Sequence, residues 1–269
     1  MNFQSFIKNL IKPHKIPYKI IKKILILYQR KIYDFNKFQK EQNLIFKYFN
    51  LDRDNAFRLL EKIKDQFPFL NRNMSSEHEV FFSGLSLSDT KIEKILEIGT
   101  HDGKNSLLLS LLFNKAEIDT IDLPHTSEYF IKFYNREKKL DDFIKSRNEI
   151  LKKNNKIKFI ETNSVNLLNS DKKYDLIWID GAHGYPVVCI DIINSLKLIN
   201  EDGIIMCDDI FVNNIESDKM YKSTAAFETL SELAMEKIIN YKLIYKRLDA
   251  INNCDTSNRK FVGVFKKIN

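Results

Sequence analysis

The sequence has few cysteines and no long apolar run near its start. Three cysteines in 269 residues, an odd number without a recognisable spacing, argue against a disulfide framework and for a reduced intracellular chain. Cysteine and histidine are not clustered at the spacing of a zinc site. Between Ile16 and Tyr33 the longest uncharged run, Ile24 to Gln29, is far shorter than the ~20 residues that span a membrane. No small-residue cleavage site of a secretory signal follows it, so we expect a cytoplasmic protein.

Length and composition allow one substantial core with an appendage, since 43% of the residues are hydrophobic and 12% are aromatic. The net charge of +7 is unevenly distributed. Residues 1 to 40 contain nine lysines and one arginine against a single acid, Asp34, so this segment carries +9 and the remainder carries −2. A nearly neutral remainder disfavours binding of a nucleic-acid backbone over a broad face.

The basic segment contains an amphipathic pattern. Between Ile16 and Tyr33, apolar residues recur at intervals of three and four among lysines and an arginine, which predicts a helix with a cationic face. Two interpretations stay open. The helix lies on an anionic membrane surface at the inner face of the membrane, or it packs on the domain or on a second subunit of a homo-oligomer.

Further helices are predicted before the first strand. Residues 39–66 read as helical, with a polar break at Asn50–Asn55 and a cap at one of the last two residues of that break. A short helix is predicted from Ser75 to Leu85. We expect His78 in this helix to be exposed, with contact to a substrate as the alternative. We assign residues 1–74 to a basic N-terminal helical extension.

The sequence is organised around residues 93–106, which read E-K-I-L-E-I-G-T-H-D-G-K-N-S. An apolar strand leads into two glycines, and a helix is predicted over Leu107–Phe113 with Asn105 or Ser106 as its cap. A glycine turn before a helix presents free backbone N–H groups and admits a ligand where a Cβ would obstruct it. The stretch therefore predicts a nucleotide-binding turn.

The glycine spacing indicates which nucleotide is bound. Glu97, Gly99 and Gly103 form E-x-G-x-x-x-G, in place of the G-x-G-x-x-G of dinucleotide enzymes. This pattern resembles the first motif of class I S-adenosylmethionine-dependent methyltransferases, in which the acid lies near the methionine amino end and the glycines pass under the ligand. The next predicted strand, Glu117–Ile121, ends in Asp122. A carboxylate there accepts hydrogen bonds from ribose hydroxyls in nucleotide-binding α/β folds.

Beyond this turn, strand and helix patterns alternate, which implies parallel strands joined by helices. A helical stretch over Glu128–Lys153 precedes a third strand, Lys156–Glu161. The polar residues Asn163 and Ser164 follow this strand. The resembling family commonly places a short polar residue here against the adenine amino group, and an ordinary loop cap is the alternative.

The fourth strand and its exit have the most specific pattern, Y-D-L-I-W-I-D-G-A-H-G-Y over residues 174–185. Asp180 and His183 should lie at the carboxyl edge of the sheet, where open α/β sheets bind ligands. The fifth strand ends in Asp208 and Asp209. Three like charges at one edge require either solvent or a cation, and carboxylate oxygens suit magnesium, manganese or calcium better than zinc.

These motifs, with G-I-I-M-C-D-D-I in the fifth strand, resemble the D-G-x-H family of class I methyltransferases. That family includes metal-dependent O-methyltransferases acting on sugars, macrolides and small phenols. The resemblance covers about residues 75–266 and implies a methyltransferase domain at 75–269. It implies an α/β, Rossmann-like, seven-stranded and mostly parallel sheet, with helices on both faces and an antiparallel last strand. Ala182 stands where sugar-modifying relatives often have a further acid, which leaves His183 as the only obvious base.

The resemblance implies methyl transfer from S-adenosylmethionine to a hydroxyl of a sugar or small molecule, assisted by Mg²⁺ or another divalent cation. In catechol O-methyltransferase and its relatives, a lysine three residues after the metal-binding aspartate is the base. His183 occupies that position, and a neutral imidazole can accept a proton. The alternative is that His183 only fixes the loop through a backbone carbonyl.

The implied cofactor-binding residues are Glu97, Gly99, Thr100, Gly103, Ser106, Asp122, Leu123, Asn163, Ser164 and Asp180, and the implied metal ligands are Asp180, Asp208 and Asp209.

Two other functions are weighed against this hypothesis. The basic segment suggests a methyltransferase acting on RNA or protein, but residues 208–211 read D-D-I-F and lack the N-P-P-Y type of motif found in base-amine methyltransferases. A non-catalytic membrane-surface binding protein with the same fold is disfavoured by the intact Glu97, Gly99, Gly103 and Asp122.

Overall fold

The computed structural model shows a seven-stranded sheet in the order β3-β2-β1-β4-β5-β7-β6. Strands β1 to β5 are parallel, and β7 lies antiparallel between β5 and β6. The strands are β1 (Lys94–Ile98), β2 (Glu117–Asp122), β3 (Ile157–Glu161), β4 (Tyr174–Ile179), β5 (Ile199–Ile210), β6 (Ile239–Tyr245) and β7 (Phe261–Lys267). The predicted Rossmann-like sheet with an antiparallel last strand is confirmed.

The described residues are 27–28, 30–70, 76–132, 139–213, 223–253 and 259–268. Most of the amphipathic segment predicted at residues 16–33 lies outside them. The helices are α1 (Phe35–Tyr48), α2 (Arg53–Gln66), α3 (Glu77–Leu87), α4 (Lys104–Leu112), α5 (Glu128–Lys132), α6 (Leu140–Leu151), α7 (Val187–Leu198), α8 (Ala225–Met235) and α9 (Ala250–Asn253). Short 3₁₀ turns cover Pro68–Leu70 and Ser164–Asn169.

Apolar side chains pack against both faces of the sheet. Successive residues of a strand point to opposite faces, so Ile177 and Trp178 of β4 belong to different cores. Trp178 packs with side chains of α1 to α4, such as Phe81 and Leu109, whereas Ile177 packs with α7 and α8. Burial on both faces explains why the parallel strands read as nearly continuous apolar runs.

The helices before the sheet contribute to the first of these cores. Phe46 of α1 and Leu60 of α2 are buried in the cluster that contains Trp178. The cap of α2 is Asp52, whose side chain accepts hydrogen bonds from the N–H groups of Asp54 and Asn55 at 3.0 Å. The predicted cap was therefore too late in the break, because the extended Asp52 reaches both donors. The division of the chain at residue 74 stays a prediction.

In the parts of the chain that the structure describes, no helix combines the length and the apolar character needed to cross a bilayer.

Candidate active site

The glycine turn, residues 99–103, has a backbone that requires both of its glycines. Gly99 has a φ of 102° and Gly103 a φ of 76°. A Cβ on Gly99 would lie 2.3 Å from the carbonyl oxygen of Asp180, and one on Gly103 would lie 2.9 Å from Leu151 Cδ2. Gly99 thus lets the ends of β1 and β4 touch, and Gly103 lets α6 pack on the turn. Neighbouring protein atoms, rather than a ligand, fill the space that a side chain would need.

The helix after the turn begins earlier than predicted. Gly103, in the left-handed conformation, is the N-cap of α4, and neither Asn105 nor Ser106 caps the helix. Both residues lie inside α4, and their side chains face Glu97 of β1. The cap prediction was wrong because these polar side chains satisfy a buried carboxylate instead of the helix end.

Glu97 of β1 connects the start of α4 to β2 through hydrogen bonds. Its side chain is fully buried and accepts hydrogen bonds from Asn105 Nδ2 at 2.8 Å, Thr120 Oγ1 at 2.6 Å and the Ser106 hydroxyl. Thr100 Oγ1 lies 2.7 Å from Thr120 Oγ1. A buried carboxylate needs such donors, so Glu97 has a clear supporting role. Contacts of Glu97, Thr100 and Ser106 with a cofactor stay predictions.

Asp122, at the end of β2, is aimed at the glycine turn. Its Oδ2 accepts a hydrogen bond from the His101 N–H at 2.9 Å, and its Oδ1 accepts one from the Leu123 N–H at 2.8 Å. His101 adopts a φ of 47°, which turns its N–H toward this carboxylate. The structure therefore brings Asp122 and Leu123 beside the turn, as a ribose site at this edge requires.

A buried arginine from α6 lies behind this site. The Arg147 guanidinium is 4.2 Å from the ring centroid of Phe159 and 3.5 Å from Glu161, which stands beside Asp122 at the end of β3. Burial lowers the pKa of Arg147, and the neighbouring Asp122 and Glu161 partly oppose that shift. Arg147 thus places a positive charge under two strand-end carboxylates.

The polar residues after β3 act locally in this structure. The Asn163 side chain accepts a hydrogen bond from the Val165 N–H at 3.0 Å and so caps the 3₁₀ turn at Ser164–Asn169. The Ser164 carbonyl accepts a hydrogen bond from the Asn194 side chain. The loop-cap alternative describes Asn163 as it stands, and contact of either residue with adenine stays a prediction.

The exits of β4 and β5 bring together the predicted acidic residues and His183. His183 Nε2 lies 3.8 Å from Oδ1 of Asp180 and 4.0 Å from Oδ2 of Asp209. Burial lowers the pKa of His183, and Asp209 and Asp208 partly oppose this effect. His183 is therefore neutral at pH 7 and able to accept a proton.

An irregularity in β5 turns two adjacent aspartates toward the same partner. The pairing of β5 with β7 shifts register between Cys207 and Ile210, and Asp209 adopts a φ of 54°. In a regular strand Asp208 and Asp209 would point to opposite faces. The bulge lets both carboxylates reach one ammonium group, that of Lys246.

Two lysines that the sequence analysis did not select compensate these carboxylates. Lys246 Nζ lies 2.5 Å from Asp208 Oδ2 and 2.5 Å from Asp209 Oδ1, and Lys260 Nζ lies 2.5 Å from Asp209 Oδ2. Burial alone would lower the pKa of Lys246, but Asp208, Asp209 and Asp180 raise it above its ordinary value. Burial likewise opposes ionisation of Asp208, but Lys246 and two histidines bring its pKa below the usual range. We call Asp180, His183, Asp208, Asp209, Lys246 and Lys260 the β4–β5 cluster.

The β4–β5 cluster does not fit the predicted metal centre. Within the described ranges, no group of three or more His, Cys, Asp or Glu residues is arranged to hold a metal ion. Three of the four carboxylate oxygens of Asp208 and Asp209 contact lysine ammonium groups, and the fourth, Asp208 Oδ1, is buried. The negative charge that a divalent cation would neutralise is already paired. The predicted ligand set of Asp180, Asp208 and Asp209 is therefore not supported by this geometry.

A second histidine reaches this region from α3. His78 is 3% exposed, its ring stacks on Trp178 with centroids 4.5 Å apart, and its Nδ1 lies 2.7 Å from Ser76 Oγ. A positive charge on His78 would help to lower the pKa of Asp208. The expectation of an exposed His78 was wrong because β4 supplies an aromatic surface for its ring.

Buried ion pairs on either side of His78 fix helix α3. Arg53 donates two hydrogen bonds of 2.7 Å to Glu77, and Lys64 Nζ lies 2.8 Å from Glu79. The Glu77 N–H also donates to the carbonyl oxygen of Lys246 at 2.9 Å. Helix α2 therefore determines where His78 lies relative to the β4–β5 cluster.

Part of the chain is similar to a known protein family. Residues 96–210, which include every site residue predicted from the sequence, match the family described as "Methyltransferase domain". No curated protein matches the chain.

Three solved structures share the fold, each with a TM-score of 0.51. Cofactor-bound Rv0187 from MTB is 15% identical, and the match covers 79% of this chain and 89% of the Rv0187 chain. The methyltransferase PaMTH1 from Podospora anserina, bound to S-adenosylhomocysteine, is 21% identical and covers 88% of this chain and 99% of its own. The O-methyltransferase TomG from Streptomyces achromogenes, in complex with S-adenosylmethionine, is 14% identical and covers 86% and 99%. The chain therefore shares its fold with these methyltransferases, and residues 96–210 are similar to the methyltransferase domain family.

Proposed function

We propose that this protein transfers the methyl group of S-adenosylmethionine to a hydroxyl group of a sugar or other small molecule. The observation that supports this most directly is His183, a neutral base with 11% of its side chain exposed, which lies within 4.0 Å of Asp180 and Asp209 at the carboxyl edge of the sheet. A base at that position would face a substrate bound across the strand ends from the glycine turn.

The donor would lie over the ends of β1 and β2. Gly99 and Gly103 allow the tight turn at the end of β1, and Asp122, beside this turn, would accept hydrogen bonds from the ribose hydroxyls. Glu97 would act here through the turn that it supports. S-adenosylmethionine supplies the electrophilic methyl group, so the protein's main contribution is to align the two bound substrates.

His183 would remove the acceptor's proton as the reaction proceeds. The hydroxyl oxygen attacks the methyl carbon in line, the carbon–sulfur bond breaks, and its electron pair stays on the sulfur of S-adenosylhomocysteine. The hydroxyl proton passes to His183 Nε2, and Asp180 and Asp209 stabilise the resulting imidazolium. No step requires a bound metal.

The charges around the site favour a small polar acceptor. The β4–β5 cluster pairs its acids with its own lysines, and residues 41–269 carry a net −2, which gives a phosphate backbone no broad basic face. TomG, which shares the fold, is an O-methyltransferase of tomaymycin synthesis. Methylation of RNA or protein is therefore the second-ranked proposal.

Donor binding and product analysis test the proposal. Calorimetry with S-adenosylhomocysteine should give one site per chain. Incubation with a labelled donor and fractionated small molecules should give a product whose methyl group resists the mild base that cleaves methyl esters. Failure to bind S-adenosylmethionine or S-adenosylhomocysteine would refute the proposed function, and a label found only in RNA or protein would refute the acceptor class.

Residues 1–40 would set location and not donor binding. Basic residues near an anionic leaflet contribute about 1 kcal/mol each, so the +9 charge of this segment would hold the protein on such a surface at low salt. Flotation with anionic vesicles at rising ionic strength checks this. A deletion of residues 1–40 that leaves flotation unchanged but lowers the oligomeric state would assign the segment to subunit contact instead.

A further inference from the structure

The compensation of Asp208 and Asp209 by lysine has a consequence for cofactor use. We propose that Lys246, with Lys260, is the built-in cation of the β4–β5 cluster, and that this site therefore takes no divalent metal. Lys246 and Lys260 belong to the chain itself, so their effect on metal binding can be measured whether or not the acceptor is known. Its catalytic meaning rests on the proposed methyl transfer.

The contacts place Lys246 where a bridging cation would lie. Its ammonium touches one oxygen from each aspartate at 2.5 Å, and Lys260 takes the remaining oxygen of Asp209 at 2.5 Å. A divalent ion on these carboxylates would have to displace both ammonium groups or sit directly beside them. Like charges repel strongly in a site from which water is largely excluded, so the second arrangement is disfavoured.

The position of Lys246 is determined by the fold. Lys246 directly follows β6 and Lys260 directly precedes β7, and the Lys246 N–H donates to the Lys260 carbonyl oxygen at 3.0 Å. The carbonyl of Lys246 is also bound by the N–H of Glu77 at the start of α3. The lysine backbone is therefore held from two sides, and its side chain, 11% exposed, has little room to leave the carboxylates.

A fixed pair of ammonium groups differs from a metal ion in how it can activate the acceptor hydroxyl. It neutralises Asp208 and Asp209 without binding the acceptor oxygen as a Lewis acid. Activation of the hydroxyl then falls to His183, which lies 4.0 Å from Asp209 Oδ2. The pair would keep the cluster close to neutral, so that a positive charge on His183 can form between Asp180 and Asp209 during transfer.

Titration with Mn²⁺, followed by its electron paramagnetic resonance signal, tests the proposal on the full chain. Wild type should leave Mn²⁺ free up to millimolar concentrations. The double variant Lys246→Met, Lys260→Met removes both ammonium groups and exposes the carboxylates, so it should gain one Mn²⁺ site. Lys64→Met is the matched control, since Lys64 is a buried lysine paired with Glu79 outside the cluster and should leave Mn²⁺ free.

The outcomes separate clearly. A wild-type site for Mn²⁺ that disappears in Asp209→Asn would overturn the proposal. So would a double variant that stays folded by circular dichroism and gains no site. If the double variant does not fold, Lys260→Gln with its partly exposed position gives the second test, with a weaker gain expected. Calorimetry with S-adenosylhomocysteine on the same samples reports on donor binding separately, so failure of the methyltransferase proposal would be visible apart from the metal result.

Discussion

The carboxylates at the ends of β1 and β2 have hydrogen-bond partners that are near them in the sequence. The carboxylates at the end of β5 have partners from more distant segments. The carboxylate of Glu97 is bound by donors no more than 23 residues away, and Asp122 is bound by an N–H 21 residues away. Asp208 and Asp209 are paired with lysines 38 and 51 residues away. We call the ends of β1 and β2 the donor half of the carboxyl edge, and it is stabilised by hydrogen bonds within one local motif. The β4–β5 cluster is stabilised by charge pairs between segments that meet only in the tertiary structure.

This difference predicts different weak points. The donor half should fail when its backbone geometry changes, because Glu97 and Asp122 accept their hydrogen bonds from neutral side chains and backbone N–H groups. The β4–β5 cluster should fail when one charge is removed, because a buried charge left without its partner is strongly destabilising.

The largest effect is expected from His183→Ala. Removal of a general base should lower kcat by about 10²–10⁴-fold while the affinity for S-adenosylhomocysteine is unchanged. Because burial lowers the pKa of His183, the wild-type rate should be constant through pH 7 and fall only below the ordinary value of about 6.5. Rate measurements across pH check both points. An acid limb that persists in His183→Ala, or is lost in the control His125→Ala on the donor half, would assign the titration to another group.

Lys246→Met should reduce the free energy of unfolding by about 3–5 kcal/mol, because it leaves two buried carboxylates partly unpaired. Urea unfolding measures this. The pair of Lys172 with Asp119 gives the control, because Lys172 is exposed and Asp119 keeps its hydrogen bond from Tyr174, so Lys172→Met should cost less than about 1 kcal/mol. The double variant Lys246→Met, Asp208→Asn should recover part of the loss, and a purely additive result would contradict charge pairing.

The same pair predicts how stability depends on pH. The pKa of Asp208 is lower in the folded protein than in the unfolded chain, so its contribution is complete above about pH 4 and is lost as pH falls through the folded pKa. Wild type should therefore lose more stability between pH 5 and pH 3 than Lys246→Met does. Equal losses in the two proteins would show that the Asp208 pKa is not set by Lys246.

Gly99→Ala tests the close contact between the ends of β1 and β4. Its Cβ would meet the Asp180 carbonyl at 2.3 Å, in a backbone conformation that alanine rarely adopts, so we expect a loss of about 2–4 kcal/mol and weaker binding of S-adenosylhomocysteine. Thermal unfolding and calorimetry measure the two effects. Gly84→Ala is the control, because a Cβ there meets only side chains, at 3.3 Å or more, and the helix favours alanine. Equal losses in both variants would remove the special role of Gly99.

Asp122→Asn should weaken binding of S-adenosylhomocysteine about tenfold with little loss of stability, since a hydrogen bond to a charged group contributes about 1.5–3 kcal/mol. Asp119→Asn, on the same strand but bound to Lys172 and Tyr174, should leave this affinity unchanged. Calorimetry on both variants is the measurement. Unchanged binding in Asp122→Asn would place the ribose elsewhere.

The smallest effect is expected from Asn163→Ala. As a cap of the 3₁₀ turn, Asn163 should contribute about 1 kcal/mol or less to stability, and its loss should change donor affinity by less than twofold. A larger loss of affinity for S-adenosylhomocysteine than for S-adenosylhomocysteine lacking the adenine amino group would instead support the predicted adenine contact.

The sequence alone predicted the elements whose signals are local. Apolar runs and alternating strand and helix patterns indicated the parallel strands, and the spacing of Gly99 and Gly103 indicated the turn. The antiparallel last strand was implied by the family resemblance. The motif after β4 placed Asp180 and His183 at the carboxyl edge. These predictions succeeded because each depends on neighbouring residues and on the rule that parallel strands end at one edge of the sheet.

Only the tertiary structure decided how charge is balanced at that edge. Lys246 and Lys260 flank the connection of β6 to β7, and nothing in their local sequence distinguishes them from the many other lysines of the chain. The bulge at Asp209 and the stacking of His78 on Trp178 likewise arise from contacts between distant segments. The sequence indicated that the three carboxylates need either solvent or a cation. Which of these they have depends on the strands that meet beside them, because electrostatic pairing is set by distance in space and burial.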